Sequence, residues 1–135
     1  MAAGASESIE LYARFCRGTA LAFALVAVYT VVVKAPTGEI EHDWVHTALH
    51  LLTGAVAAYA GWFAADVARP RLFAVAILVG YGVLGVLGWF VDGLFLHTSF
   101  RIPLDVADNV FHLLLAAAAA TVIGRAPAIS DRGVY

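Results

Sequence analysis

The chain has 135 residues, of which 62% are hydrophobic and only 13% charged, and its formal net charge is -2. An ordinary soluble domain is roughly 45–50% apolar and about 25% charged, and a chain this short cannot enclose so much apolar surface in water, which excludes a soluble enzyme. No Lys/Arg cluster supplies the basic patch that nucleic-acid binding requires, and the single Cys16 cannot close an internal disulfide.

A helix crosses the hydrocarbon layer with about 17–25 largely apolar residues. Four stretches meet that length: about 15–33, 44–65, 72–91 and 106–123. The first begins after Arg14 and is expected to remain a span, because its apolar run exceeds the ~7–15 residues of a cleaved leader and no small-x-small site follows it. Ahead of it, Ser8 to Phe15 reads either as a helix on the inner interface or as the frayed start of the span. Turns are expected at Ala35-Pro36-Thr37-Gly38, at Arg69-Pro70-Arg71 and in the longer segment from Asp92 to Pro103. After the fourth span, residues 126–135 read as a poorly ordered tail.

The basic residues set an orientation. Arg14, Arg17, Arg69, Arg71, Arg125 and Arg132 share one side with both termini, and the other side has only Lys34 and Arg101. Basic residues stay inside, so both termini are expected in the cytoplasm. Glu39, Glu41, Asp43, Asp92 and Asp105 make the outer face acidic. Trp44 and Trp89 outside, and Tyr12, Trp62 and Phe73 inside, stand where interface anchors belong.

Residues 43–58 align with 105–120, with identities at Asp43/Asp105, His50/His112, Leu51/Leu113, Leu52/Leu114, Ala55/Ala117, Ala57/Ala119 and Ala58/Ala120. The offset of 62 residues is two spans, which reads as a helical hairpin duplicated in tandem. Two crossings per unit give both copies the same orientation, related by an axis along the membrane normal. His50 and His112 then lie at equal depth on neighbouring spans.

The stretches His46-Thr47-Ala48-Leu49-His50-Leu51-Leu52-Thr53-Gly54 and Asp108-Asn109-Val110-Phe111-His112-Leu113-Leu114 resemble the two signatures of a bacterial four-span membrane family known only as a domain of unknown function. The likeness runs from the first span through the fourth, and departs where Ala116 replaces an expected Gly. It implies a four-helix fold in a bacterial inner membrane and two polar signatures, with no activity attached.

His46 and His50 are four residues apart and so share one helical face, and Asp108 and His112 repeat the spacing. The same stripes continue through Gly54, Ala57 and Gly61, and through Ala116, Ala119 and Ala120, while the third span carries Gly82, Gly85 and Gly88. Small residues are how membrane helices approach one another, so the polar stripes should point into the bundle. Ionisable groups inside a membrane cost ~2.5–3.5 kcal/mol on insertion scales and mark functional sites by default.

Three readings follow. His46, His50, Asp108 and His112 could form a metal site for zinc, iron or manganese. His50 and His112 could be the axial ligands of haem b. Or the histidines, Asp108 and Asn109 hydrogen-bond one another as interhelical glue, at ~0.6 kcal/mol per contact. The spacing lacks the Glu of a zinc-protease helix, Asp105 is a candidate helix cap, Asp108 could satisfy first-turn amides, and His42 and His97 read as solvated loop residues. The sequence alone favours an all-α, four-span bundle acting as a non-catalytic scaffold or accessory subunit of a membrane complex or homo-oligomer. The alternative is a metal- or haem-binding membrane protein, and the third reading is small-molecule or proton transport by an oligomer.

Overall fold

A computed structural model describes residues 2–38 and 43–126; Glu39, Glu41 and His42 of the loop before Trp44 and residues 127–135 of the tail, Arg132 among them, lie outside the described residues. Helix α1 (Ala2–Tyr29) runs on through a π-helical segment (Thr30–Lys34) and a last turn, α2 (Ala35–Thr37). Then come α3 (Trp44–Trp62), α4 (Ala68–Leu87), a two-residue strand pair, β1 (Gly93–Leu94) and β2 (Ile102–Pro103), and α5 (Val106–Arg125). The fold is thus all-helical apart from that pair, which is antiparallel with Gly93 opposite Pro103 and Leu94 opposite Ile102.

Among the described residues, three helical stretches are long and apolar enough to cross a membrane: Ser6–Thr37, Ala68–Leu87 and Val106–Arg125. This fits a multi-pass membrane protein. Helix α3, at 19 residues, does not join them, because His46, Thr47, His50 and Thr53 lower the hydropathy of an otherwise apolar helix.

Local chemistry explains the element ends. Pro36 follows the π-helical segment directly and has no N–H to donate back to it, and Gly38 ends the helix at φ 77°, a left-handed conformation that glycine adopts freely. Residues 69–71 are not the turn that their proline suggested: Arg69, Pro70 and Arg71 all lie in the first turn of α4. The turn is Phe63 to Val67, and Asp66 Oδ1 accepts from the amides of Ala68 (2.9 Å) and Arg69 (3.3 Å). At α5, Asp105 caps as expected, accepting from Asp108 N at 2.8 Å.

Helix α1 packs closely along α3, and α4 along α5; α1 also touches α4 and α5, and α3 touches α4. The backbones of α3 and α5 approach least. Glycines set the two close pairings. A Cβ on Gly54 would lie 2.9 Å from Phe23 Cβ, and one on Gly61 2.9 Å from Arg17 Cγ. On α4, a Cβ on Gly85 would lie 2.8 Å from Leu113 Cγ, and one on Gly88 would collide with the Asn109 side chain. Both pairs are antiparallel, since residue numbers rise on one helix as they fall on the other. Ala116, where a glycine was expected, packs against Gly82: in this pair the small residue has moved to the facing helix.

Cys16, Phe23, Ala57, Phe73, Ile77 and Ala119 form the apolar core with Ala60 and Leu115. Ser8 to Phe15 is the start of α1 itself, and Tyr12 is buried there. Tyr12 and Phe73 are therefore core residues rather than interface anchors, whereas Trp44, Trp62 and Trp89 are each about half exposed, as anchors require. Ala120 of the expected small-residue stripe faces outward.

Gly85 and Gly80 on the same helix make a contrast. Gly85→Val must displace Leu113 and should cost about 1–3 kcal/mol, whereas Gly80, whose Cβ would meet nothing within 4 Å, should accept Ala with a gain of up to about 1 kcal/mol. Thermal unfolding in detergent, followed by circular dichroism, checks both: a lowered midpoint is expected only for Gly85→Val.

Candidate metal centre

Helix α3 projects His46 and His50 toward α5, and α5 projects His112 back. Exposures of 4%, 7% and 1% place all three rings in the interior. Ring centroids are 4.2 Å apart for His46–His50, 5.8 Å for His50–His112 and 6.1 Å for His46–His112. One nitrogen from each of the three lies within 4.8 Å of the others. Aromatic side chains pack around them: Phe23 lies 5.1 Å from His50, and Tyr81 lies edge-on 4.9 Å from His112.

The expected fourth member, Asp108, does not join this group. Its Oδ2 is 3.8 Å from His46 Nδ1, beyond hydrogen-bond distance. His46 Nδ1 instead meets Asp43 Oδ1 at 3.1 Å. An ionised carboxylate can only accept, so Nδ1 carries the proton and the lone pair of His46 is on Nε2, which is buried without a partner. Carboxylate, imidazole and free nitrogen in series is how metal-binding histidines are oriented. Lys34 Nζ donates to the other oxygen of Asp43 at 2.7 Å.

Interhelical glue would pair these groups with one another. Among the described residues, His46 Nε2, His50 Nε2, both ring nitrogens of His112 and Asn109 Oδ1 are buried without a hydrogen-bond partner. An unmade bond of this kind costs about 1–3 kcal/mol per group, so a cluster of four such nitrogens is expensive unless a ligand satisfies it.

Two cavities flank the cluster. One, of about 370 Å³, lies between α3 and α4 and is bounded by all three histidines, with Thr53 and Tyr81 on an otherwise apolar wall. Tyr81 donates its hydroxyl to Thr53 Oγ1 at 3.0 Å. The other, of about 200 Å³, lies between α1, α3 and α5, and Lys34, Asp43, His46, His50 and Asp108 border it. His97 is exposed on the loop between the strands, as expected of a solvated residue.

Sequence reading missed Asp43, Lys34 and Tyr81. Asp43 could have been found: it lies three residues before His46, on the same helical face. Lys34 and Tyr81 reach the site from other helices and leave no local signal. No protein family, curated protein or solved structure matches this chain.

Burial alone would raise the pKa of Asp43, but hydrogen bonds from His46 and Lys34 and the positive charge of Lys34 outweigh it and hold the carboxyl below its ordinary value of 3.8. A depressed folded-state pKa gives stability that is complete above the unfolded value and is lost as pH falls through the folded one. The wild-type protein should therefore lose stability below about pH 4. Asp43→Asn should be less stable at pH 7 by roughly 2 kcal/mol and should lack this part of the acid-side loss. Unfolding midpoints of both proteins at pH 7 and pH 3 check it.

Proposed function

We propose that the protein is a four-span membrane metalloprotein in which His46, His50 and His112 bind one divalent transition-metal ion. The observation that carries this reading is the convergence of three buried, unpartnered imidazole edges within 4.8 Å. Three nitrogen donors suit zinc better than manganese, which favours oxygen ligands. Zinc–nitrogen bonds of 2.0–2.1 Å in a tetrahedron set the donors about 3.3 Å apart, so the rings need close in by only about 1.5 Å. Asp43 orients His46, and Asp108 supplies negative charge beside it.

Haem is less well supported. His50 and His112 face each other, but His46, Phe23, Phe111 and Tyr81 pack directly against those two rings, where a porphyrin needs a flat slot. The scaffold role that the sequence favours has no contact of its own in support, and a metal that ties α3 to α5 would serve such a role equally.

This reading includes the duplication. Residues 62 apart face one another: His46 meets Asp108, and His50 meets His112. It also includes membership of the four-span family, on the two histidine signatures, and a bacterial inner-membrane location with cytoplasmic termini. In this reading α3, which packs closely and antiparallel along the span α1, is the fourth span, and the two hairpins are related by an axis along the membrane normal.

Protein purified without chelator should carry one zinc or similar ion per chain by elemental analysis. Added zinc at a hundred times its Kd should stabilise the wild type by about 2.7 kcal/mol, and His50→Gln and His112→Gln should lose both the ion and the stabilisation. A wild type whose melting ignores zinc, iron and manganese would falsify the reading. For topology, reporter fusions after Arg125 should report cytoplasm and fusions within 93–99 the outside; the reverse would put the histidines near the inner face.

A further inference from the structure

Three histidines leave a tetrahedral ion one open position, as catalytic zinc sites do. What fills it follows from the two cavities and the local charge, and the argument rests on the metal reading above. The ion brings two positive charges and Lys34 a third. Against them stand two carboxylates, Asp43 bonded to Lys34 and His46, and Asp108 at 3.8 Å from His46. Asp105 is exposed, so solvent screens its charge from the buried ensemble. The buried ensemble is left with one positive charge, and an uncompensated charge inside a membrane is costly. The fourth ligand is therefore an anion.

Where the anion comes from is a matter of shape. All three histidines border the cavity of about 370 Å³ between α3 and α4, a volume within the usual range of about 300–1,000 Å³ for small-molecule sites. Its rim is formed by Leu49, Leu52, Val56, Ala76 and Gly80, all exposed on the surface of the bundle. The space beside Gly80 is open, for a Cβ there would meet nothing within 4 Å. The entrance is thus lateral and apolar, and the far end is the histidine cluster. A chloride or hydroxide ion does not need such a wall, whereas a molecule with a long apolar chain and a single anionic head does.

We propose that this groove takes the chain of a long-chain carboxylate from the membrane, and that its carboxylate supplies the fourth ligand to the ion held by His46, His50 and His112. The chain lies along α3 and α4, and the head completes the coordination and neutralises the remaining charge. No bond other than the metal–oxygen contact forms. Tyr81 and Thr53, the polar pair on the groove wall, lie beside the chain's path to the ion.

The test uses the full chain in an uncharged detergent, loaded with cobalt(II), whose visible bands report on the fourth ligand. Dodecanoate should shift those bands and bind at least tenfold more tightly than acetate, and dodecanol should leave them unchanged. Gly80→Leu fills the groove without touching a histidine. It should keep the cobalt spectrum of the unliganded protein and weaken dodecanoate at least tenfold, leaving acetate unaffected; Ala76→Leu serves as the second blocking variant if Gly80→Leu does not fold. Cobalt bound normally but with dodecanoate no tighter than acetate, or with both blocking variants indifferent, overturns the groove proposal alone. A chain that binds no cobalt overturns the metal reading instead, and this one with it.

Discussion

Apolar surface gives two helices no reason to associate in hydrocarbon, since lipid tails are as apolar as leucine, so the shape of the contact decides which helices meet. In this chain Gly54 and Gly61 draw α3 against α1, and Gly82, Gly85 and Gly88 draw α4 against α5. Four helices held as two such pairs cannot all approach equally, and α3 and α5 are the ones left apart. Their separation is what admits imidazole rings from both sides. The histidines meet because the backbones that carry them do not.

The same constraint explains why the two halves, alike in sequence, differ in chemistry. Asp43 and Asp105 occupy equivalent positions just before α3 and α5. Asp105 accepts from the amide of Asp108 and caps its helix, whereas Asp43 makes no cap and holds Lys34 and His46. Both oxygens of Asp43 are taken by other side chains, Oδ1 by His46 and Oδ2 by Lys34. The unfilled cap at α3 is the cost of orienting His46, offset by an ion pair in which both partners are largely shielded from solvent. At the next equivalent pair, His46 and Asp108, the divergence continues: one is a donor to the cluster and the other a neighbouring charge.

The histidine stripe was legible in the sequence because four-residue spacing fixes a helical face whatever the tertiary structure does. The cap at Asp105 and the inward glycines of α4 were legible for the same reason. What escaped depended on other helices. Asp108 shares the face of His112, yet the gap between α3 and α5 leaves its carboxylate outside the ring of nitrogens. Tyr12 and Phe73 have the composition of interface anchors, and only the meeting of α1 with α4 buries them. Arg69-Pro70-Arg71 has the composition of a turn, but proline is equally at home in the first turn of a helix, and Asp66, four residues earlier, decides between the two.

The π-helical segment separates the two tasks of the first helix. In it the amide of Ala35 bonds to the carbonyl of Thr30, five residues back, so the helix holds one residue more than its turns need. Everything beyond is rotated by about 100° relative to an uninterrupted helix, and that rotation carries Lys34. Before the segment, Phe23 and Arg17 are locked by the glycines of α3; at its end, the Lys34 ammonium pairs with Asp43. An insertion or deletion within 30–33 would re-aim the Lys34 charge without sliding the helix along its partner. Packing and electrostatics on one continuous rod can therefore be varied separately.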